Sequence, residues 1–511
     1  MKRIVSLLLA LLMLLGCAGV TAAEEANPWS HLDTSEYTEI NWYIPGIGFN
    51  DWDEILEKAN ERLMELINTK INLTFINYGD FQTKLSLYLA GDEDVDMIYG
   101  ANFCAFSDYV KNGGYKGFDW NFIETYMPET AKKQAAASWR EVKFGDLYYG
   151  VPNNNAGYGT GGAWVRKSLL DKYGYKAEDI NSYEKMVEFM GCIAKDTPTT
   201  GIYAFNPQNS YPMDAFYWFV GRYHQWDLNA GAANWMVWRY DTGKPFDVQD
   251  LKWFGDTDEY RQFCLQMADF YRNGYVPSSV MSNEIQVDDN FYAGTSALLN
   301  AGYDTYASVR TRMTDDTPVF LNYCYDENTK VRRGGYMTYC NGFPVNSKHM
   351  ERAAIALDVM KFDPICNKLL VGGIEGRHYT LTEDGKYFIP GPEAGDFPWN
   401  SFANNATLMD MNNPTQLLEP EYQVYKDMYD ACLAPDDTFP VNGFNYDPAK
   451  YEAELAAANA LFNEYRFSFC FGIFGDNTEA KLDEFIAQMK GLGIDDICND
   501  YREQLAAFIA E

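Results

Sequence analysis

The part of the chain beyond its polar start constrains the fold most, because strand and helix patterns alternate there without a break. Residues 37–44 alternate apolar and polar positions and are rich in β-formers, whereas residues 52–67 carry apolar side chains at helical spacing. Residues 71–75 alternate again, a second helical stripe follows Asp80, and residues 95–99 supply a third strand. This β-α-β-α-β order predicts a parallel sheet whose ligands sit beyond the carboxyl ends of the strands.

Three polar residues are predicted to cap helices. Asp51-Trp-Asp-Glu54 has the spacing of a capping box, and Asp80 is predicted to cap the second helix. Ser347 is predicted to cap a later helix with an apolar stripe. In the predicted sheet, the loops after Tyr43, Asn77 and Tyr99 follow the carboxyl ends of the strands and are predicted to face a ligand-binding cleft.

The length of the chain predicts at least two lobes, because 511 residues exceed the size at which one hydrophobic core keeps growing. A strand predicted at 163–167 marks the first crossing between lobes, and residues 296–302 are predicted to return as a strand to the first lobe. The predicted division is 1–17 signal peptide, 18–36 tether, 37–152 first lobe, 153–294 second lobe, 295–340 return to the first lobe, and 341–511 remainder of the second lobe with a helical C-terminal segment.

The N-terminus has the pattern of an export signal. Lys2 and Arg3 precede an apolar run over residues 5–15, which is too short for a comfortable membrane span. Leu-Leu-Gly-Cys17 resembles a bacterial lipobox, in which Cys17 is lipidated and anchors the mature chain. The alternative is an ordinary signal peptide that is cleaved after Ala22 or Ala23.

Charge and cysteine content exclude other classes of protein. The formal charge of −32 disfavours nucleic acid as a partner. The ten cysteines include no Cys-x-x-Cys pair, so buried free thiols are favoured over a disulfide framework or a zinc site. The four histidines form no His-Glu-x-x-His motif and the chain has no Gly-x-Ser-x-Gly motif, so a zinc protease and an α/β-hydrolase lack their motifs. We predict no catalytic residue, metal site or cofactor.

Three groups of segments carry a resemblance to a known family. They are residues 40–43, 80–84 and 91–98, then 343–352 and 373–380, and finally 444–448, 482–485 and 491–495. Their most specific part is Glu375-Gly-Arg-His-Tyr379, and together they cover most of the mature chain. They resemble the extracellular solute-binding proteins (family 1) of bacterial ABC importers, in the long LplA-like subgroup with a C-terminal domain of unknown function. The mature start lacks the Ser- and Gly-rich tether of many lipoproteins.

The resemblance implies an α/β, two-lobed periplasmic-binding-protein type II-like fold with hinge-linked lobes and a helical C-terminal segment. It also implies that an extracellular, monomeric receptor closes on a small solute, an oligosaccharide in this subgroup, and delivers it to the transmembrane subunits of an ABC permease. The alternatives are a secreted carbohydrate-active enzyme and a surface lectin. Ligand recovered unchanged after long incubation would argue against the enzyme.

Sugar sites combine aromatic rings, which cover the apolar faces of a pyranose, with carboxylates and amides that bind hydroxyl groups. For each candidate below, a core or surface role is the alternative interpretation. Glu375, Arg377, His378 and Tyr379 are predicted to form a polar cluster at the cleft or between the lobes. The alternative is a buried ion pair that pins the C-terminal segment. The candidate ligand-binding residues are Tyr43, Asp80, Asn102, Asn154, Tyr158, Trp164, Trp218, Tyr303, Asn341, His378 and Trp399.

Overall fold

The structure of the chain is a computed structural model. It describes residues 27–46, 48–90, 94–101, 104–153, 162–209, 226–229, 236–239, 245–302, 305, 309–310, 312–323, 335–385, 388–397, 408, 427, 430–431, 441 and 443–510.

The first strands and helices form the predicted β-α-β-α-β unit. Strands β1 (Thr38–Pro45), β2 (Thr69–Ile76) and β3 (Met97–Gly100) alternate with helices α1 (Trp52–Ile67) and α2 (Tyr78–Ala90). Strand β1 lies between the other two and is parallel to both. Apolar side chains along one stripe of α1 are buried against this sheet, as the helical spacing predicts.

Short helices and strands follow β3 and lead to β6 (Gly150–Pro152), after which the chain leaves the first sheet. They surround an aromatic group in which the Trp139 and Tyr148 rings lie 5.4 Å apart. These elements are α3 (Phe106–Lys111), α4 (Trp120–Tyr126), α5 (Pro128–Lys133), α6 (Ala136–Arg140), β4 (Lys143–Phe144), β5 (Leu147–Tyr148) and β6 (Gly150–Pro152).

The next part of the chain forms a second group of helices around two small sheets. Their strand orders are β11-β7-β12 and β10-β9-β8, and all pairs are antiparallel. The elements are β7 (Ala163–Arg166), α7 (Lys167–Tyr173), α8 (Tyr183–Thr200), β8 (Trp226–Asn229), β9 (Met236–Arg239), β10 (Lys252–Trp253), α9 (Asp258–Arg272), α10 (Val287–Tyr292), β11 (Leu298–Leu299) and β12 (Pro318–Leu321).

The strand that returns to the first sheet differs from the one predicted at residues 296–302. Within that range, β11 pairs with β7 of the second group. The returning strand is β13 (Cys340–Gly342), which lies antiparallel between β3 and β6 and completes the order β2-β1-β3-β13-β6. A short buried apolar run predicts a strand but carries no information about which sheet it joins.

Two helices after β13 also belong to the first group, whereas the sequence placed residues 341–511 with the second lobe. They are α11 (Met350–Phe362) and α12 (Pro364–Gly372). Helix α11 is buried on nearly every side, so it requires the cover that α1, α5 and the sheet provide. A hairpin of β14 (Tyr379–Leu381) and β15 (Phe388–Pro390) follows.

The described part of the chain ends in three helices, in agreement with the helical C-terminal segment that the sequence predicts. These are α13 (Glu452–Phe471), α14 (Thr478–Gly491) and α15 (Ile494–Ala510), and the first two pack on α9 of the second group. The large buried clusters therefore divide the described residues into two lobes. The first lobe takes its core from residues 29–151 and 337–408, and the second from residues 163–323 and 441–505.

The predicted helix caps have other partners in the structure. The Ser347 hydroxyl donates to the buried Asp96 carboxylate at 3.1 Å, and α11 begins only at Met350. Helix α2 begins at Tyr78, so Asp80 lies in its first turn, 3.5 Å from the Lys84 ammonium group. Cap assignments from sequence assume a local partner, and Ser347 has a distant one instead.

The segment before β1 is docked rather than extended away from the lobe. Trp29, in the predicted tether, is only 3% exposed and belongs to the first core. Its indole Nε1 donates to the buried Asp358 carboxylate at 2.8 Å. Among the described residues, no helix combines the length and apolarity needed to cross a bilayer.

Candidate ligand-binding cleft

The first lobe presents one edge of its sheet to the segments that lead to the second lobe. The parallel strands β1, β2 and β3 end at this edge. Pairing of Cys340 with both Gly100 and Pro152 places the end of β6 and the start of β13 there as well. The chain leaves the first sheet after Pro152 and returns at Cys340, so this edge is the predicted ligand-binding side.

The second lobe has a corresponding edge. Ala163 begins β7 directly after the first crossing, and its partner Leu321 ends β12 shortly before the second. Leu299 pairs with Trp164 and brings the end of β11 to the same edge. The two crossings also contact each other, because the Asn153 backbone N–H donates to the Tyr339 carbonyl at 2.9 Å. A cleft between two edges joined by paired crossings is a geometry that permits hinge closure.

Aromatic side chains line the first-lobe edge. The half-buried Tyr43 packs edge-to-face on Tyr88, with ring centroids 5.3 Å apart. Tyr339, which sequence reasoning did not select, is half-buried and its ring lies 6.2 Å from that of Tyr99. The sequence shows only that Tyr339 precedes the short segment Cys340–Gly342. The strand pairing that brings Tyr339 to this edge joins residues far apart in the chain.

The exit of β6 is held by buried polar side chains that the sequence did not indicate. The Gln134 amide Nε2 lies 3.2 Å from both the Pro152 and the Asn153 carbonyl oxygens. The Lys361 ammonium group, on a residue 1% exposed, donates to Gln134 Oε1 at 3.0 Å. These contacts fix the backbone from which the first crossing begins.

Trp164 is a core residue in this structure. It is 1% exposed, its ring packs against Phe320 with centroids 5.1 Å apart, and its Nε1 donates to Thr305 Oγ1 at 3.0 Å. The strand containing it does reach the cleft edge, as predicted. Its ring supports that edge from inside the second lobe.

Asn341 lies in the middle of the first sheet and is 1% exposed. Its Oδ1 accepts from Trp42 Nε1 at 3.0 Å, whereas its Nδ2 has no hydrogen-bond partner within the described part of the chain. An unsatisfied buried amide costs about 1–3 kcal/mol. Seven other predicted residues lie outside the described residues, namely Cys17, Asn102, Asn154, Tyr158, Trp218, Tyr303 and Trp399.

The predicted cluster around Arg377 is an ion-pair network on the first lobe. The Arg377 guanidinium donates to Glu54 Oε2 at 2.7 Å and to Glu393 Oε2 at 2.9 Å, and it also contacts Asp51. Hydrogen bonds to these carboxylates raise the pKa of Arg377 and lower the pKa of Glu54. The network fastens the β14–β15 hairpin to the start of α1 within the first lobe, and its side chains are partly exposed.

The capping-box prediction for Asp51 is wrong. The Asp51 side chain makes no capping hydrogen bond to α1, and its carboxylate binds Arg377 and His378 instead. These partners lie more than 300 residues further along the chain, so no local pattern reveals them. The neighbouring Phe397 ring stacks on Trp52 at 5.5 Å and completes the contact.

His378 is engaged at both ring nitrogens. Its Nδ1 accepts from the Ile374 backbone N–H at 2.9 Å, so its Nε2 carries the proton and donates to Asp51 at 2.9 Å. Asp51, His378 and Glu393 offer ligand atoms within 4.8 Å of one another, a spacing that suits a metal ion. The protonated Nε2 has no lone pair for a metal, and the Arg377 guanidinium already supplies a cation to both carboxylates.

The described cysteines are free thiols. Six of these seven are buried and Cys192 is half-buried. Burial raises the pKa of Cys264 and Cys340 well above the ordinary value, so these thiols stay protonated. They pack as small apolar groups in the two cores.

Comparisons with solved structures identify the fold. The N-glycan transport solute-binding protein NgtS from Streptococcus pneumoniae superposes with a TM-score of 0.71 at 17% identity, over 93% of this chain and 99% of that one. A complex of NgtS with Man5GlcNAc gives a TM-score of 0.65, with 17% identity over 93% of this chain and 99% of that one. The alginate-binding protein AlgQ2, without calcium, gives 0.62 at 15% identity, over 92% and 98% of the two chains. The chain therefore has the two-lobed α/β fold of solute-binding proteins.

Sequence comparisons agree with this class. A carbohydrate ABC transporter substrate-binding protein from Streptococcus pneumoniae serotype 4 is 20% identical over 517 residues, which cover 97% of this chain and 95% of that protein. Residues 440–510 match the family model described as a domain of unknown function, DUF3502. This match covers α13, α14 and α15, the helical segment predicted at the C-terminus.

Proposed function

We propose that this chain is the extracellular substrate-binding component of an ABC importer and that it captures an oligosaccharide between its lobes. One observation carries the proposal: the chain superposes along 93% of its length on an N-glycan transport solute-binding protein. The formal charge of −32 and the predicted export signal fit an extracellular place of action. No catalytic role is assigned to any residue.

The cleft edges offer the chemistry that a sugar requires. Tyr43 and Tyr339 supply aromatic surface on the first lobe, and the half-buried Asn300 and Asn322 lie at the ends of β11 and β12 on the second. Asp80 is exposed near the end of β2. We propose that lobe closure brings these groups around the solute, and that the buried Asn341 amide is satisfied by a water or a sugar hydroxyl at the floor of the cleft.

Membrane attachment and delivery complete the proposal. We propose that Cys17 carries a lipid anchor and that the closed monomer engages the transmembrane subunits of a permease. The docked Trp29 holds the described start of the chain on the first lobe. Metabolic labelling with a radioactive fatty acid, compared between the natural chain and Cys17→Ala, tests the anchor directly.

A thermal-shift screen of the signal-free protein tests the cargo class. The panel contains Man5GlcNAc, maltose, alginate oligosaccharides, amino acids and peptides. A bound sugar at one hundred times its Kd is expected to stabilise the protein by about 2.7 kcal/mol. Shifts only with amino acids or peptides would overturn the carbohydrate assignment. Cleavage of the glycan during incubation would support the enzyme alternative.

Tyr43→Ala is expected to weaken binding of the sugar found in this screen about tenfold, because the substitution removes an aromatic face worth roughly 1–1.5 kcal/mol. Isothermal titration calorimetry measures the change. Tyr37→Ala is the matched control, since Tyr37 is exposed and precedes the opposite end of the same strand. Equal affinities for the two variants would remove Tyr43 from the site.

A further inference from the structure

The C-terminal helices are an integral part of the second lobe. Phe462 of α13 and Phe485 of α14 are buried in its core, and both helices pack on α9. Tyr501 of α15 is fully buried in the same core. The domain of unknown function therefore cannot move independently of the second lobe without exposing large aromatic side chains.

The same segment also touches the first lobe. The Ser107 hydroxyl of α3 donates to Asn445 Oδ1 at 2.8 Å. The Arg140 guanidinium of α6 lies 4.2 Å from the centroid of the Phe508 ring, and its Nη2 lies 3.4 Å from the Phe508 carbonyl oxygen. We call these contacts of Ser107 and Arg140 with Asn445 and Phe508 the interlobe bridge.

Close backbone packing reinforces the interlobe bridge. Gly443 has a φ of +85°, and a Cβ atom there would lie 3.1 Å from the Arg140 carbonyl oxygen. Both reasons favour glycine at this position, since a side chain would strain the backbone and push the lobes apart. The contact is therefore built from backbone as well as side chains.

Hydrogen bonds within the second lobe hold Asn445 and Phe508, the C-terminal residues of the interlobe bridge, in place relative to each other. The Tyr446 hydroxyl donates to Asp500 at 3.0 Å, and the Asp447 backbone N–H donates to Gln504 Oε1 at 2.8 Å. Gln504 Nε2 returns a hydrogen bond to the Asp447 carbonyl at 2.9 Å. The loop that carries Asn445 is thus tied to α15, which carries Phe508.

The first-lobe residues of the interlobe bridge, Ser107 and Arg140, lie on helices next to the cleft edge. Helix α3 follows the carboxyl end of β3, and α6 precedes β6, from which the first crossing leaves. A rotation of one lobe against the other changes distances at this place. Contacts that exist in one lobe arrangement and are lost in another bias the equilibrium between the two.

We propose that the C-terminal domain of unknown function acts as a clasp. Its interlobe bridge stabilises the lobe arrangement of this structure and thereby sets how much of the ligand-free protein has this arrangement rather than another. The cation–π contact and the hydrogen bond each contribute only a modest free energy. Their loss is expected to change the ratio between the two arrangements about three- to tenfold.

Double electron–electron resonance on the ligand-free protein tests the clasp. Nitroxides are attached to ketone-bearing side chains introduced at Glu61 of α1 and Lys195 of α8, which are exposed and lie in different lobes. Ser107→Ala and Arg140→Met each remove one part of the interlobe bridge. The expected result is a shift in the distance distribution for each variant and a larger shift for the double variant.

Arg261→Met is the matched control. Arg261 lies on α9 and pairs with Asp483 of α14 at 2.6 Å, so its loss weakens the docking of the C-terminal helices within the second lobe only. An unchanged distribution in both bridge variants and their combination would overturn the proposal. A shift of the same size in Arg261→Met would also overturn it, because the effect would then reflect general loosening.

Discussion

Asp358→Ala is expected to lower the free energy of unfolding by about 3–5 kcal/mol, because the substitution leaves several buried donors without an acceptor. The fully buried Asp358 carboxylate accepts from Trp29 Nε1 at 2.8 Å, from the Thr130 backbone N–H and hydroxyl at 2.7 Å each, and from the Glu129 N–H at 3.0 Å. It joins the N-terminal segment, the start of α5 and the centre of α11. Chemical denaturation followed by tryptophan fluorescence measures the loss.

Two further variants sharpen this test. Asp171→Ala removes an exposed carboxylate that pairs with Lys167, and it should cost less than about 1 kcal/mol. Asp358→Asn keeps the shape but substitutes an amide nitrogen for one acceptor oxygen, so an intermediate loss is expected. Burial raises the pKa of the Asp358 carboxyl group, and its hydrogen bonds oppose that shift. A loss for Asp358→Ala no larger than that for Asp171→Ala would show that the carboxylate does not hold these segments together.

Gly472→Ala is expected to destabilise the protein by about 2–5 kcal/mol, the sum of a left-handed backbone penalty and overpacking. Gly472 ends α13 with a φ of +72°, and a Cβ atom there would lie 1.9 Å from the Met267 carbonyl oxygen of α9. Backbone atoms cannot swing aside as a flexible side chain can. The substitution should therefore separate α13 from α9 and loosen the whole C-terminal segment.

Gly475→Ala provides a matched control three residues away. Gly475 has a φ of +53°, but nothing lies within 4 Å of the position that a Cβ atom would occupy. Only the backbone penalty of about 1–2 kcal/mol should remain. Thermal unfolding of both variants measures the difference, and hydrogen exchange along α13 and α14 locates it. Equal losses would mean that α13 tolerates displacement from α9, against the integral packing described above.

The sequence and the structure agree wherever the signal was periodic. The alternation in β1 and the apolar stripe of α1 predicted those elements within a few residues, and the C-terminal helices were found in the same way. The predictions that failed concern partners. Asp51 was assigned to its own helix and instead binds His378, and Ser347 was assigned to α11 and instead binds Asp96.

The predictions for the candidate site show the same difference between local patterns and distant contacts. The order of strands and helices predicted that Tyr43 lies near the end of β1, because strand direction follows from chain order in a parallel sheet. It could not predict that Trp164 is enclosed in a small separate cluster with Phe291 and Leu299, or that Tyr339 reaches the cleft edge. Burial depends on what packs over a residue, and that cover comes from distant segments.

The sequence by itself determined the strands and helices whose periodicity is clear, such as β1, α1 and the C-terminal helices, since 2- and 3.6-residue periodicities are local properties. It also determined the two-lobed class through its length and its resemblance to a known family. Only the tertiary structure decided which lobe α11 joins, which partner satisfies each buried carboxylate, and where the C-terminal helices meet the first lobe. Those outcomes depend on contacts between residues hundreds of positions apart, such as Trp29 with Asp358, and no local pattern encodes them.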